Sequence, residues 1–128
     1  MPDDRVSFEC PVCRAVITRP LTPLPGDQPI CLEVGKPAIP EGFFAAISAE
    51  DWAVPGTTLV INLHDLVGTK RHPDFRRLNG CCGLDGLDGP NLVCPNGHEV
   101  GIEQSDCWMS HAAVLLDSLI RVDVEIAD

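Results

Sequence analysis

Tyrosine is absent from this chain, and aromatic residues of all kinds make up only 5% of it. Large aromatics dominate the burial of most cores, so their scarcity makes a metal clip a useful supplement to stability. Positive charge is scarce too: 9 Lys and Arg stand against 19 Asp and Glu, a formal net charge of -10. That balance argues against a general grip on nucleic acid, which needs a basic surface to neutralise phosphates. It also disfavours adhesion to anionic membranes, promotes solubility and suits a basic or neutral partner. Long apolar runs are missing. Met1-Pro-Asp-Asp-Arg5 is polar with no apolar stretch behind it, unlike a signal peptide, and nothing is long enough to span a bilayer. A cytoplasmic, reducing location is therefore expected. Seven cysteines are better explained there by metal or buried thiols than by disulfides. Catalytic signatures are lacking as well. There is no serine nucleophile elbow, no phosphate-binding glycine motif before a helix and no His-Glu-x-x-His, so no catalytic residue is assigned.

What is present fits a single domain over residues 1–128, 45% hydrophobic and carrying 12 prolines. The expected class is mostly β, a small α+β fold of antiparallel strands and hairpins with one or two short helices. Val6, Phe8 and Cys10 alternate with polar neighbours, which predicts a strand entering a turn, with Ala15–Thr18 returning. Six prolines between Pro20 and Pro40 make an irregular connection, with an edge strand at Ile30–Val34. Cys31 within it reads as a small buried hydrophobe. Phe43 to Ile47 is apolar. Ser48-Ala-Glu-Asp51 resembles a helix start, stopped by Pro55-Gly56. Thr57 to His64 is the clearest central strand, with Leu59, Ile61 and Leu63 on one face and His64 on the other, as a rim or core histidine.

A short helix is expected from His72-Pro73-Asp74 through Leu78, ended by Gly80. Lys70, Arg71, Arg76 and Arg77 form the only basic cluster. A solvated face is its plainer reading, and a contact patch for an acidic partner or a phosphate the functional one. Gly83-Leu-Asp-Gly-Leu-Asp-Gly-Pro-Asn91 repeats Leu-Asp-Gly and predicts a compact multi-turn loop. The spacing of Asp85 and Asp88 misses a calcium loop. Leu92 to Ile102 reads as a hairpin turning at Asn96-Gly97. In the tail, Val122, Val124 and Ile126 alternate with polar residues as a half-buried strand. Its expected hairpin partner is Ala112–Leu116, with Asp117-Ser118 at the turn.

Cys10-Pro-Val-Cys13 is the strongest motif. Two thiolates at that spacing on a tight turn converge on one tetrahedral ion. A redox dithiol wants a helix after the motif, and Pro20 with a returning strand makes that context poor. A second hairpin carries Cys94-Pro-Asn-Gly-His98. Together the two stretches, Phe8–Thr18 and Asn91–Ile102, resemble a zinc ribbon of rubredoxin-type knuckles. The resemblance implies a metal site joining two hairpins distant in sequence. Zinc ribbons usually present a second Cys-x-x-Cys, whereas Gly97 stands three residues after Cys94.

Cys10, Cys13 and Cys94 are the first three candidate ligands. Cys82 is ranked next, brought back by the Gly/Asp loop. His98 is the alternative fourth ligand, ranked lower because an ideal two-residue Asn-Gly turn points Cys94 and His98 to opposite faces. Zinc is the expected ion, since thiolate-rich tetrahedral sites select it, with iron second. Cys107 and His111, joined by Cys81, offer a second possible site. Burial of Cys107 and Trp108 in the core is the preferred reading. Vicinal Cys81-Cys82 suits ligation better than a strained disulfide. The first functional expectation is a non-enzymatic zinc protein with a structural site and a protein-binding surface. The places to look for contact are Lys70 to Arg77 and the Gly83–Asn91 loop. The alternative is a small metal- or thiol-dependent enzyme with an open site near Cys81, Cys82, His98 and Glu99. Nucleic acid is the weakest partner class, and the sequence is silent on oligomeric state.

Overall fold

A computed structural model of the chain describes residues 5–25, 30–31, 33–47, 58–116 and 120–124. Mostly β structure is found, as expected. β1 (Val6–Glu9) pairs antiparallel with β9 (Arg121–Val124). The other strands are β2 (Thr22–Pro23), β3 (Phe43–Ile47), β4 (Thr58–Ile61), β5 (Lys70–Arg71), β6 (Leu92–Val93), β7 (Glu99–Gln104) and β8 (Ala112–Leu116). They form one sheet in the order β2-β3-β4-β8-β7-β6-β5, antiparallel except for the β2–β3 pair.

β4 lies between β3 and β8, as its run of β-branched residues predicts. Ile61, Leu59 and Leu63 join one apolar cluster with Phe8, Ile17, Leu21, Val100 and Leu115, while Val60 joins a second with Ala38, Ile39 and Ala112. β1 and the stretch after it therefore cover one sheet face, and the chain around Ile39 covers the other. Phe8 packs edge-on against Phe44 at 5.4 Å. Gly101 of β7 is needed for this packing, because a Cβ there would press to 2.6 Å from the Val114 carbonyl of β8.

Several expectations are corrected. β4 ends at Ile61 instead of continuing to His64, because the Asn62 side chain accepts the His64 N–H (2.8 Å) and starts a 3-10 turn over Leu63–Asp65. His64 is exposed beside Glu41. The helix expected from His72 to Leu78 is a single 3-10 turn, Phe75–Arg77. Asp74 caps it and the Leu78 N–H closes it on the Phe75 carbonyl, so Pro73 falls outside the turn. Ile30–Val34 forms no strand among its described residues, and Cys31 is half-buried with its thiol toward Glu33. β9 pairs with β1, and β8 with β4 and β7, so the expected β8–β9 hairpin is absent. Alternation identifies a strand but not its partner. The readings of Ser48–Asp51, Pro55-Gly56, Asp117-Ser118, Glu125 and Ile126, and the side-chain facing of Val122 and Val124, lie outside the described residues. Among those residues no helix is long and apolar enough to cross a membrane.

Candidate metal centre

Cys10 and Cys13 sit on a knuckle built by the backbone. The Cys10 N–H donates to the Ala15 carbonyl (2.9 Å), and the Arg14 N–H to the Cys10 carbonyl (2.8 Å). Arg14 adopts φ 61 to complete the bend, a conformation that non-glycine residues seldom take. Nothing in its side chain announces this. Ala15–Thr18 returns as expected, held by the Ile17 N–H on the Phe8 carbonyl and a Glu9–Val16 bridge.

The facing hairpin settles the geometry that the turn motif left open. The Gly97 N–H donates to the Cys94 carbonyl and the Cys94 N–H to the His98 carbonyl. The loop is thus the three residues Pro95-Asn96-Gly97, with Gly97 at φ 91. A three-residue loop of this kind is a turn followed by a bulged glycine. It makes Cys94 and His98 directly opposed residues, whose side chains share one face. The opposite facing expected for a two-residue turn does not occur.

Four donor atoms meet as a result. Cys10, Cys13, Cys94 and His98 offer ligand atoms that all lie within 4.8 Å of one another. His98 Nδ1 is 3.5 Å from Cys10 Sγ and 3.2 Å from Cys94 Sγ, and Cys13 Sγ is 3.6 Å from Cys94 Sγ. A tetrahedral ion with sulfur at about 2.3 Å and nitrogen at about 2.0 Å separates its ligand atoms by roughly 3.5–3.8 Å. Two of these spacings match and the third is a few tenths shorter. The group is able to hold a metal ion.

Cys10 and Cys94 are fully buried in the larger apolar cluster. Backbone N–H groups of Asn96 and His98 point at Cys94 Sγ at 3.3 and 3.4 Å, as donors that stabilise a thiolate do. Cys13 is pushed down to about 6, chiefly by a hydrogen bond from the Asn96 side chain and then by the Ala15 N–H. Asn96 therefore has a role beyond its place in the turn, one that composition does not reveal. Burial pushes the Cys10 thiol up.

Cys82 does not join these residues. It stands with Cys81 and Cys107 in a second, exposed group whose sulfurs also lie within 4.8 Å of one another. Asp106, which the sequence reading passed over, organises this group. Its carboxylate accepts the N–H groups of Cys81 (2.9 Å), Cys82 (3.1 Å) and Cys107 (2.7 Å), and the Trp108 indole N–H (2.9 Å). The backbone donors, Cys81 and Cys82 foremost, hold its carboxyl well below the usual carboxylate range. The Cys107 thiol is pushed up to about 12, first by its interaction with Cys82 and then by burial. Cys107 and Trp108 are exposed, not core residues. His111 donates from Nε2 to the Asp106 carbonyl (3.1 Å) and is no member of the sulfur group.

Glu99 is committed elsewhere. His72 Nε2 lies 2.9 Å and Arg77 Nη1 3.3 Å from its Oε2. The four residues considered for an open catalytic site are therefore divided between separate groupings. The basic cluster is largely paired: Arg71 with Glu103, Arg76 with Asp74 and Arg77 with Glu99. All seven cysteines are free thiols. Comparison with models of known protein families, with curated proteins and with solved structures finds no match for this chain.

Proposed function

We propose that Cys10, Cys13, Cys94 and His98 bind one structural zinc ion, and that the chain is a non-enzymatic, cytoplasmic protein-interaction module. The observation that carries the zinc reading is the convergence of three sulfurs and one imidazole nitrogen from two hairpins, at spacings near the edges of a coordination tetrahedron. Sulfur-rich donors favour zinc among the common divalent ions. Four protein ligands close the coordination sphere, which is the structural and not the catalytic pattern. The ion fastens β1 and its knuckle to the β6–β7 hairpin across 81 to 88 residues of sequence.

The interaction reading rests on a surface. Phe75 and Leu87 are 79% and 69% exposed. They lie on segments tied together by the Arg77 side chain on the Pro90 carbonyl and by Asn79 on Asp88. A firm surface offering apolar side chains beside Arg76 suits another protein better than nucleic acid, because the nearby arginines already have carboxylate partners.

Metal analysis of the purified chain tests the site. The parent and Cys82→Ser should retain zinc at this position, whereas Cys94→Ser and His98→Ala should lose it or bind it far more weakly. Retention in His98→Ala of the ion that Cys94→Ser loses would overturn the assignment.

A further inference from the structure

We propose that Cys81, Cys82 and Cys107 form a second metal site, facing solvent, that takes a thiophilic divalent cation such as zinc and leaves its fourth coordination position open. Three independent features of the chain build it. The three sulfurs converge within 4.8 Å. The Asp106 carboxylate gathers the backbone of all three cysteines by accepting their N–H groups. The two segments are also pressed together: Leu84 and Ser105 exchange backbone and side-chain bonds, and a Cβ at Gly83 would overlap the Ser105 carbonyl. Only glycine permits that approach, and it brings the Cys81-Cys82 corner against Cys107.

Charge selects the occupant. Three thiolates beside an ionised carboxylate repel one another unless a cation lies among them, and a divalent ion compensates more of that charge than a monovalent one. Each ligating thiol releases its proton to solvent, and no electron changes hands. Asp106 is a positioning residue, since both of its oxygens already accept N–H donors. Among the described residues the group has no fourth protein donor, and all three cysteines are exposed. Water or a small external donor therefore completes the sphere, as at zinc sites with three protein ligands. The ion here exchanges with solution more readily than one enclosed by Cys10, Cys13, Cys94 and His98.

Titration of the full, reduced chain with Co2+, read by thiolate-to-metal charge-transfer absorption, tests this. Two ions per chain are expected, one for each group. Cys107→Ser should lose one and keep the other: a parent that binds a single ion and keeps it in Cys107→Ser lacks the exposed site, and one that loses it there lacks the buried site. Alkylation with iodoacetamide, mapped by mass spectrometry on the unsubstituted chain, decides the matter if Cys107→Ser does not fold. Zinc should slow labelling of Cys81, Cys82 and Cys107 several-fold, and a mild chelator should restore it before Cys10 or Cys94 reacts. Asp106→Asn should weaken binding at this site and leave the charge-transfer band of the other unchanged. Cobalt binding in Cys107→Ser equal to the parent's would overturn the proposal. So would labelling of the three cysteines at the same rate with and without zinc, or a Cys81–Cys82 disulfide forming in place of the bound ion.

Discussion

The two cysteine groups use the same atoms in opposite settings. Cys10 and Cys94 belong to the apolar interior and are held by hairpins far apart in sequence, whereas Cys81, Cys82 and Cys107 stand at the surface on loops. In the first, an ion would replace core packing that a chain poor in aromatics cannot supply. In the second, the scaffold is a carboxylate that accepts the N–H groups of all three cysteines. Metal in the buried group should therefore be inseparable from folding. Metal in the exposed group should ride on a structure that stands without it.

That contrast is open to direct attack. Strong chelation, or Cys94→Ser, should cost on the order of 10 kcal/mol of metal-linked folding free energy, enough to abolish the cooperative thermal transition seen by circular dichroism. Cys107→Ser should keep a transition within a few degrees of the parent's. Equal melting of the two variants would erase the distinction. Acidification should act in the same direction, since protons compete with the ion for thiolates and imidazole. Apo and unfolded chains take up the protons that ligation displaces, so stability should rise with pH and fall as the solution is acidified. A pH series of melts with and without chelator checks this, and the dependence should shrink once the ion is gone.

Smaller effects probe the supports. Asn91→Ala should destabilise by about 1–3 kcal/mol, the scale for buried groups left unpaired. The buried Asn91 side chain bonds both the N–H and the carbonyl of Glu103. Gly97→Ala should cost about 1–2 kcal/mol, because a Cβ disfavours positive φ, and should weaken cobalt binding at Cys94 and His98. Glu99→Gln should leave metal content unchanged, as its carboxylate serves His72 and Arg77. Loss of the ion in that variant would show that the two groupings communicate.

Much of this was legible before any coordinates. Thiol spacing points to Cys10 and Cys13, a second Cys/His-rich hairpin contains Cys94, and the structure brings the three sulfurs together. Alternation and β-branching located the strands, because a residue's facing is a local property. Pairing is not local. The tail alternates whether it meets β8 or β1, and only the assembled core selects β1. The placing of His98 and Cys82 turned on one residue of loop length. Asn-Gly suggests a two-residue turn, and the hydrogen bonds of Cys94 with Gly97 and His98 make it three. Asp106 escaped notice because its importance lies in which backbone amides reach it, and no periodicity encodes that.

The long stretch of chain between the knuckle and its facing hairpin also has a kinetic meaning. Cys94 and His98 can come together within one tight loop, but Cys10 and Cys13 must close 81 to 88 residues before they arrive. Loop closure over that span is entropically costly, and contacts so far apart in sequence form slowly. The knuckle should dock after the rate-limiting barrier, so the ion's grip is expressed mainly as slower unfolding and only weakly as faster refolding.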